Sequence, residues 1–481
     1  MDYTQFLAMK QEIGLLIAFL IVFLCDTFMP RKSQGAIGMI SCVVFAIFTA
    51  LGFCPCVTDS SIDAFAGMYS TTAVVANIKN ILNVGALIVM IQALRWAAQD
   101  MVRIRRGEFY ELLMVTLFGM YLMISARHFL LFVIGLETAS LPLAAMVAFD
   151  KHRYESHEAA VKYILTAVFS SAVFMMGLSY VYGLTGSLYF ENIALAVTAE
   201  GSSWMLIVAL AFVISGIGFK LSLVPFHLWT ADVYQGAPTP VTSYLSVISK
   251  GSAAFAFLVI LTQVFGSVYS QVWEWMLYAL IILTITIGNL FAIRQRNMKR
   301  FLAFSSISQA GYIMLGIEAF NGMGVAALMY YILVYIFSNL AAFGVIGAIE
   351  NNTGKVYMQD YNGLYKTNPR LAFTMMLAMF SLAGIPPFAG FFSKFFIFTG
   401  AINQGSVAIY VLVLIALINT IISLYYYLLV VKAMFISEEE SVIPTFRSAC
   451  SERFAMWICV AGILLLGVVS CFYNHLLAIA A

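Results

Sequence analysis

The sequence predicts an all-α polytopic membrane protein of about fourteen transmembrane helices, built as inverted repeats in which helices 7 and 12 are discontinuous. Three observations carry that expectation. Of 481 residues, 62% are hydrophobic and only 10% are charged, where a soluble domain carries about 25% charged residues. Apolar windows of about 20 residues, long enough to cross a bilayer, follow one another along the chain. Two of these windows hold a lysine deep in their interior, where a charge is costly, close to a proline that frees a backbone carbonyl.

The windows, in chain order, are 11–29, 35–54, 76–97, 109–126, 128–149, 157–183, 203–232, 239–264, 272–293, 300–319, 322–349, 370–402, 405–434 and 454–477. The first contains an apolar run from Ile13 to Met29 with no small-residue cleavage site, so it reads as a retained helix rather than a signal peptide. The connectors alternate in charge. One set holds Arg31 and Lys32; Arg95, Arg103, Arg105 and Arg106; Lys151 and Arg153; Arg294, Arg296, Lys299 and Arg300; Lys355, Lys366 and Arg370; then Arg447 and Arg453. The other set, including 55–75, 184–202, 265–271 and 402–406, has essentially no Lys or Arg. By the positive-inside rule the basic set is cytoplasmic and both termini face outward, on the periplasmic side. Only the short 232–238 turn is cytoplasmic without a basic residue. No long extramembrane segment remains to hold a soluble catalytic domain.

Composition also excludes several classes. A net charge of +2, with 25 Lys and Arg dispersed rather than striped, gives no nucleic-acid footprint. The seven Cys lie mostly in apolar runs, and the one close pair, Cys54 and Cys56, matches neither a zinc nor an iron-sulfur spacing, so no metal is expected. "GMGVAA" at 322–327 fits a dinucleotide pattern formally, but it opens a membrane helix with no strand before it.

Once connector charges are set aside, five ionisable residues inside spans stand out. Glu137 sits midway along span 5, Lys162 in the cytoplasmic third of span 6, Lys220 midway along span 7, Lys250 midway along span 8 and Lys394 in the second half of span 12. Each central charge costs about 2.5–3.5 kcal/mol even on a lenient insertion scale, too much for four lysines to be incidental. Lys162 is near enough to its helix end that snorkelling is a competing reading; the other three are too deep. A buried lysine beside a carboxylate holds its proton, and one without a carboxylate gives it up more readily. Lysines in series with one Glu therefore form a candidate proton relay. His227, two residues after a break, could pass protons between Lys220 and water; an interior hydrogen-bonded His is the competing reading.

The prolines give the second signal. Pro225 frees the carbonyl of Leu221 and Pro142 that of Thr138, and Glu137/Pro142 and Lys220/Pro225 share a five-residue offset. In "SLAGIPPFAGFFSKFF", Pro386 and Pro387 free the carbonyls of Leu382 and Ala383. All four prolines are expected to mark helix breaks, and irregular backbone survives in a membrane only within protein or along a hydrated cavity. Spans 7 and 12 are five apart, so they cross in opposite directions. Broken helices at corresponding places in oppositely directed halves point to inverted repeats around a mid-membrane ion site, hence to ion transport.

The stretch "FKLSLVPFHLWTADVYQGAPTPV" (219–241), with "GLETASLP" (135–142), "SK" (249–250) and "GLYKTNPRLAFTMMLAMFSLAGIPPFAGFFSKFF" (363–396), resembles the antiporter-like subunits of respiratory complex I over nearly the whole chain. Within that family, one branch typically has Glu where Lys394 stands, and another carries a long C-terminal lateral helix for which a chain ending at Ala481 has no room. The resemblance implies that Glu137 pairs with Lys220, that Lys250 is the central relay, that Lys394 is the terminal exchange group and that Lys162 matches an additional span 6 lysine. It implies N-terminal helices 1–3 over 1–108, a first five-helix inverted repeat over 109–264, a second over 272–434, and helix 14 at 454–477. Ala231 departs from the family, which more often has Pro there, but removes no titratable group.

The same resemblance implies a multi-pass protein of the bacterial cytoplasmic (inner) membrane. Its partners would be antiporter-like neighbours and small subunits of the membrane arm, in the lipid bilayer. No cofactor is expected on this chain, with FMN, iron-sulfur clusters and quinone on partner subunits. The leading expectation is a proton-translocating subunit of an NADH-quinone oxidoreductase, carrying no redox chemistry of its own. The alternative is a subunit of a multisubunit cation/proton antiporter, which shares the fold and the lysine series. A purely structural scaffold would explain the topology but not the buried lysines.

Overall fold

In hydrocarbon every backbone N–H and C=O must be satisfied within the chain, and the long apolar runs accordingly fold as helices. The computed structural model describes residues 3–30, 34–54, 62–99, 102–201, 203–268, 273–319, 321–437, 441–469 and 471–480. Arg31, Lys32 and Cys56, named above, lie outside the described residues. Among the described residues, twelve helices are long and apolar enough to cross a membrane. Two more elements belong with them: Met298–Glu318, whose 21 residues are almost all buried and too polar to stand out by hydropathy, and the broken pair Pro369–Ala383 and Ala389–Ile402. That brings the crossing elements to the expected fourteen.

The chain forms two compact units, one of residues 1–87, 97–221 and 249–277, the other of residues 88–96, 222–248 and 278–481. In the first unit, small residues set the helix spacing. A Cβ on Gly119 would lie 2.4 Å from the Ala139 nitrogen, and one on Gly135 would lie 2.7 Å from the Met123 nitrogen. Helices Arg106–Ser125 and Phe129–Val147 therefore pack backbone against backbone, the close approach small residues permit in membranes. Helices Tyr154–Thr185 and Trp204–Leu221 pack in the same way at Gly216, whose carbonyl accepts from Ser170 Oγ at 2.7 Å.

The all-α class holds, and the first unit adds to it one small hairpin. Ile62–Ala64 and Tyr69–Thr71 form an antiparallel hairpin. Phe65, Ala66 and Gly67 all take positive φ, which reverses the chain tightly enough for the strands to pair, and Tyr69 is buried against Ala8 and Ala64. A short helix, Phe190–Glu200, also occupies a connector; at 11 residues it is too short to span.

Pro142, expected to mark a helix break, does not break its helix. Phe129–Val147 runs through it without interruption. A single proline removes one hydrogen bond and a close neighbour holds the rest of the turn, which is why isolated prolines are tolerated in spanning helices. Pro225 and the Pro386–Pro387 pair behave as expected. Trp204–Leu221 and Leu228–Gly236 flank the first break, and Gly384, at φ 85°, closes Pro369–Ala383 at the second.

In the second unit, helix Gly322–Thr353 is buried along most of its length and packs against Pro369–Ala383, Ala389–Ile402 and Cys450–Val468. The two halves of the broken helix meet closely: a Cβ on Gly390 would lie 1.7 Å from the Ser381 carbonyl oxygen. The single span expected over 454–477 is instead Cys450–Val468 followed by a separate short helix, Cys471–Ala480.

Candidate functional site

Lys394 lies in the half-helix that follows the second break and is 5% exposed. Its side chain turns back to the end of the preceding half-helix. Nζ donates to the Leu382 carbonyl at 3.0 Å and to the Ala383 carbonyl at 3.1 Å, the two oxygens that Pro386 and Pro387 leave without helical partners. A side chain at Gly384 would crowd the lysine stem, since a Cβ there lies 3.2 Å from Lys394 Cδ. The ammonium also lies 5.1 Å from the Tyr312 ring centroid.

A polar network surrounds this lysine within the second unit. Gln309 Nε2 donates to Tyr427 OH at 3.2 Å, Tyr331 OH donates to Gln309 Oε1, and Ser338 and Ser381 share a hydrogen bond of 2.7 Å. Gln309, Tyr331, Ser338, Ser381 and Lys394 line a cavity of about 10 Å³, about the space a single water molecule needs. Nothing in the sequence reading singled out Gln309, Tyr331 or Ser338. Their signal is a run of Ser, Gln and Tyr along helices that are otherwise apolar.

In the first unit, Lys220 is 6% exposed and ends the helix before the first break. Its Nζ donates to the Leu136 carbonyl at 3.2 Å and to Ser140 Oγ at 2.5 Å, and Ser140 itself donates to the Leu136 carbonyl at 2.6 Å. Glu137 lies between those two residues in sequence, on the helix that holds the Lys220 ammonium. The two do not touch as an ion pair; Glu137 Oε1 is buried without a hydrogen-bond partner. Ser140 does not stand out in the sequence, yet it supplies the shorter of the two hydrogen bonds to the lysine.

The remaining expected residues are more scattered. Lys250 is 1% exposed and begins the helix that follows a π turn, Leu245–Ser249, a local unwinding often found at functional sites. His227 is buried at the break in the second unit, where Thr284 Oγ1 accepts from the Val224 N–H at 3.0 Å. Lys162 differs from a buried relay member. It is 42% exposed and pairs with Glu158, one helical turn earlier, at 2.7 Å. Its stem carries the charge out of the core, the snorkelling alternative.

Two buried ion pairs fall outside the expected set. Lys79 Nζ meets Glu12 Oε1 at 2.6 Å with both side chains at most 1% exposed, and Tyr69 OH donates to Glu12 Oε2 at 3.0 Å. In the second unit Lys299, expected in a connector, is buried and meets Glu350 at 3.3 Å and the Ala237 carbonyl at 3.1 Å. Both pairs sit near predicted helix ends, where sequence alone assigns a charge to the interface. Among the described residues, no group of three His, Cys, Asp or Glu side chains is placed to hold a metal ion.

Comparison with known proteins identifies the family. The profile of the family described as NADH:quinone oxidoreductase/Mrp antiporter, TM, matches residues 126–423. The chain is 52% identical over 477 residues to the NADH-quinone oxidoreductase subunit N of Phocaeicola vulgatus, covering 99% of each chain. Among solved structures it resembles a chain of respiratory complex I from Thermus thermophilus, at 32% identity and a TM-score of 0.79, covering 95% of this chain and 97% of that one. It also shares its fold with a chain of the Mrp complex from Dietzia, at 21% identity and a TM-score of 0.83, covering 100% of this chain and 97% of that one.

Proposed function

This chain belongs to the NADH:quinone oxidoreductase/Mrp antiporter transmembrane family, and from that premise we propose that it is a proton-translocating membrane-arm subunit of an NADH-quinone oxidoreductase. The observation that carries the reading is Lys394 seated on the two carbonyls of a broken helix. A buried amine held by main-chain oxygens, beside a polar cavity, can exchange a proton without leaving its site. Lys220, at the other break, is held in the same manner by Leu136 and Ser140.

In this reading Glu137 sets the charge of Lys220. With the carboxylate near, the ammonium form is favoured; when the two draw apart, the neutral amine is. The released proton passes to the later members of the series, Lys250 and then Lys394, and His227 connects the break to water. Lys162 contributes from the rim of the first unit. The Ser140 hydroxyl can donate as well as accept, so it satisfies either form of Lys220 by rotation.

The chain's own residues bind and move protons only. FMN, iron-sulfur clusters and quinone belong in this proposal to partner subunits, which supply the free energy. The protein would lie in the bacterial cytoplasmic membrane with both termini outside, as the alternating Lys and Arg of the connectors indicate. A second reading, a subunit of a cation/proton antiporter, draws on the family's own description and on the likeness of fold to the Mrp chain. Co-purification with iron-sulfur subunits favours the first reading over the second.

The test is proton uptake by vesicles containing the assembled complex. Replacing Lys220 or Glu137 by Ala should depress NADH-driven uptake while the complex stays assembled. Normal pumping by an assembled Lys220→Ala variant would sink the proposal.

A further inference from the structure

A groove of about 1050 Å³ opens between helices Pro369–Ala383 and Cys450–Val468 in the second unit, and its lining shares no residue with the cavity beside Lys394. Its floor is fixed. Asn368 Nδ2 donates to the Pro444 carbonyl at 3.0 Å and Asn368 Oδ1 accepts from the Phe446 N–H at 3.2 Å, which ties the connector between the helices to the start of the first. Both helices begin at the groove, so the positive ends of two helix dipoles open into it.

The chemistry of its lining is divided. Three guanidinium groups, Arg370, Arg447 and Arg453, lie at the end where the helices begin, and no carboxylate lines the groove. Among the described residues none of the three makes an ion pair. Arg453 Nε is buried with no hydrogen-bond partner, a donor stripped of water that lacks an acceptor. Further along, the wall is apolar and open. Phe373 is 47% exposed, Phe454 55% and Trp457 69%. Arg453, Trp457 and Val460 follow helical spacing, so one face of one helix carries a cation at its start and hydrocarbon-facing surface beyond.

We propose that this groove binds an anionic phospholipid, its phosphate diester held by Arg370, Arg447 and Arg453 and its acyl chains lying along Phe373, Phe454 and Trp457. An anionic headgroup supplies an acceptor for the buried Arg453 Nε and for the exposed forks of Arg370 and Arg447. Acyl chains cover aromatic surface that polar solutes would leave wet. A free phosphate ion would meet the first requirement but not the second. Basic pockets between spanning helices on the side rich in Lys and Arg are where anionic headgroups are recognised.

The complex containing this chain, reconstituted in phosphatidylcholine vesicles, provides the test. Brominated phosphatidylglycerol and brominated phosphatidylcholine are added at equal mole fraction, and quenching of Trp457 is read as the difference between the unaltered chain and Trp457→Phe. We expect the anionic lipid to quench Trp457 about tenfold more effectively, from two or more guanidinium contacts. That preference should fall severalfold in an Arg370→Gln/Arg447→Gln double variant, whose altered side chains are exposed and leave the fold intact. Arg453→Gln tests the buried donor separately. Equal quenching by both lipids overturns the proposal, as does absence of quenching by either, which would mean that a neighbouring subunit covers the groove. A preference that survives loss of the arginines overturns it too. The readout is lipid selectivity rather than pumping, so failure here leaves the proton-relay reading untouched.

Discussion

Lys394 and Leu382 are twelve residues apart in sequence and 3.0 Å apart as donor and acceptor. The distance closes because the helix is interrupted between Ala383 and Ala389, and the carbonyl that a continuous helix would have used is instead taken by a side chain. Replacing Lys394 by Arg should keep a cation against these oxygens but remove the ability to release a proton, since a guanidinium does not deprotonate in proteins. NADH-driven proton uptake is expected to fall about tenfold or more in a complex that still assembles. Uptake at the unaltered rate would show that Lys394 does not exchange protons.

The Gly390–Ser381 contact sets how closely the two half-helices approach. Gly390→Ala places a methyl group 1.7 Å from the Ser381 carbonyl oxygen, backbone that cannot swing aside. Overpacking of this kind costs about 1–3 kcal/mol or more. Thermal unfolding of the solubilised complex should begin at lower temperature in the variant, and an unchanged profile would mean that the break is looser than its geometry.

Ser140→Ala removes one of the two Lys220 acceptors, leaving the Leu136 carbonyl and Glu137 in place. Hydrogen bonds to charged groups contribute about 1.5–3 kcal/mol. Proton uptake is expected to fall severalfold, less than for Glu137→Ala. Equal loss in both variants would place the control of Lys220 in Ser140 rather than in the carboxylate.

The pair Glu12 and Lys79 provides a stability test away from the breaks. Lys79→Met leaves a buried carboxylate without its cation, at a cost of about 3–5 kcal/mol, whereas replacing both by apolar residues should recover most of that loss. The comparison is read from detergent-unfolding midpoints of the three proteins. A double variant as unstable as the single one would mean that the helices depend on the charges themselves.

Lys162→Ala should change stability by less than about 1 kcal/mol, because an exposed i,i+4 pair contributes little. The same unfolding measurement decides it. A large loss would indicate that Lys162 is covered in the assembled complex.

The spans were readable because a bilayer demands long apolar runs, and even Met298–Glu318, with its Ser, Gln and Lys, was legible as the window 300–319. The breaks at Pro225 and Pro386 were readable because lysine and proline coincide there. Pro142 carried the same signal but not the same outcome. Its helix is clamped by glycine contacts to a neighbour that sequence does not reveal. Lys162 and Lys299 were misjudged in opposite directions for one reason. A four-carbon stem near a helix end can point either way, and the choice depends on a carboxylate, Glu158 or Glu350, whose proximity is tertiary. Ser140 and Gln309 were invisible because a small polar residue in a helix gains meaning only from what faces it.

The two oxygens under Lys394 also fix how many hydrogens they can hold. An ammonium group carries three N–H bonds and a neutral amine two, so both carbonyls remain satisfied whichever form is present. The third hydrogen is claimed by neither oxygen. Its departure alters the charge of the site without vacating an acceptor, and the nitrogen can keep its position through the change. A helix interrupted by two prolines thereby becomes a fixed seat for a variable charge.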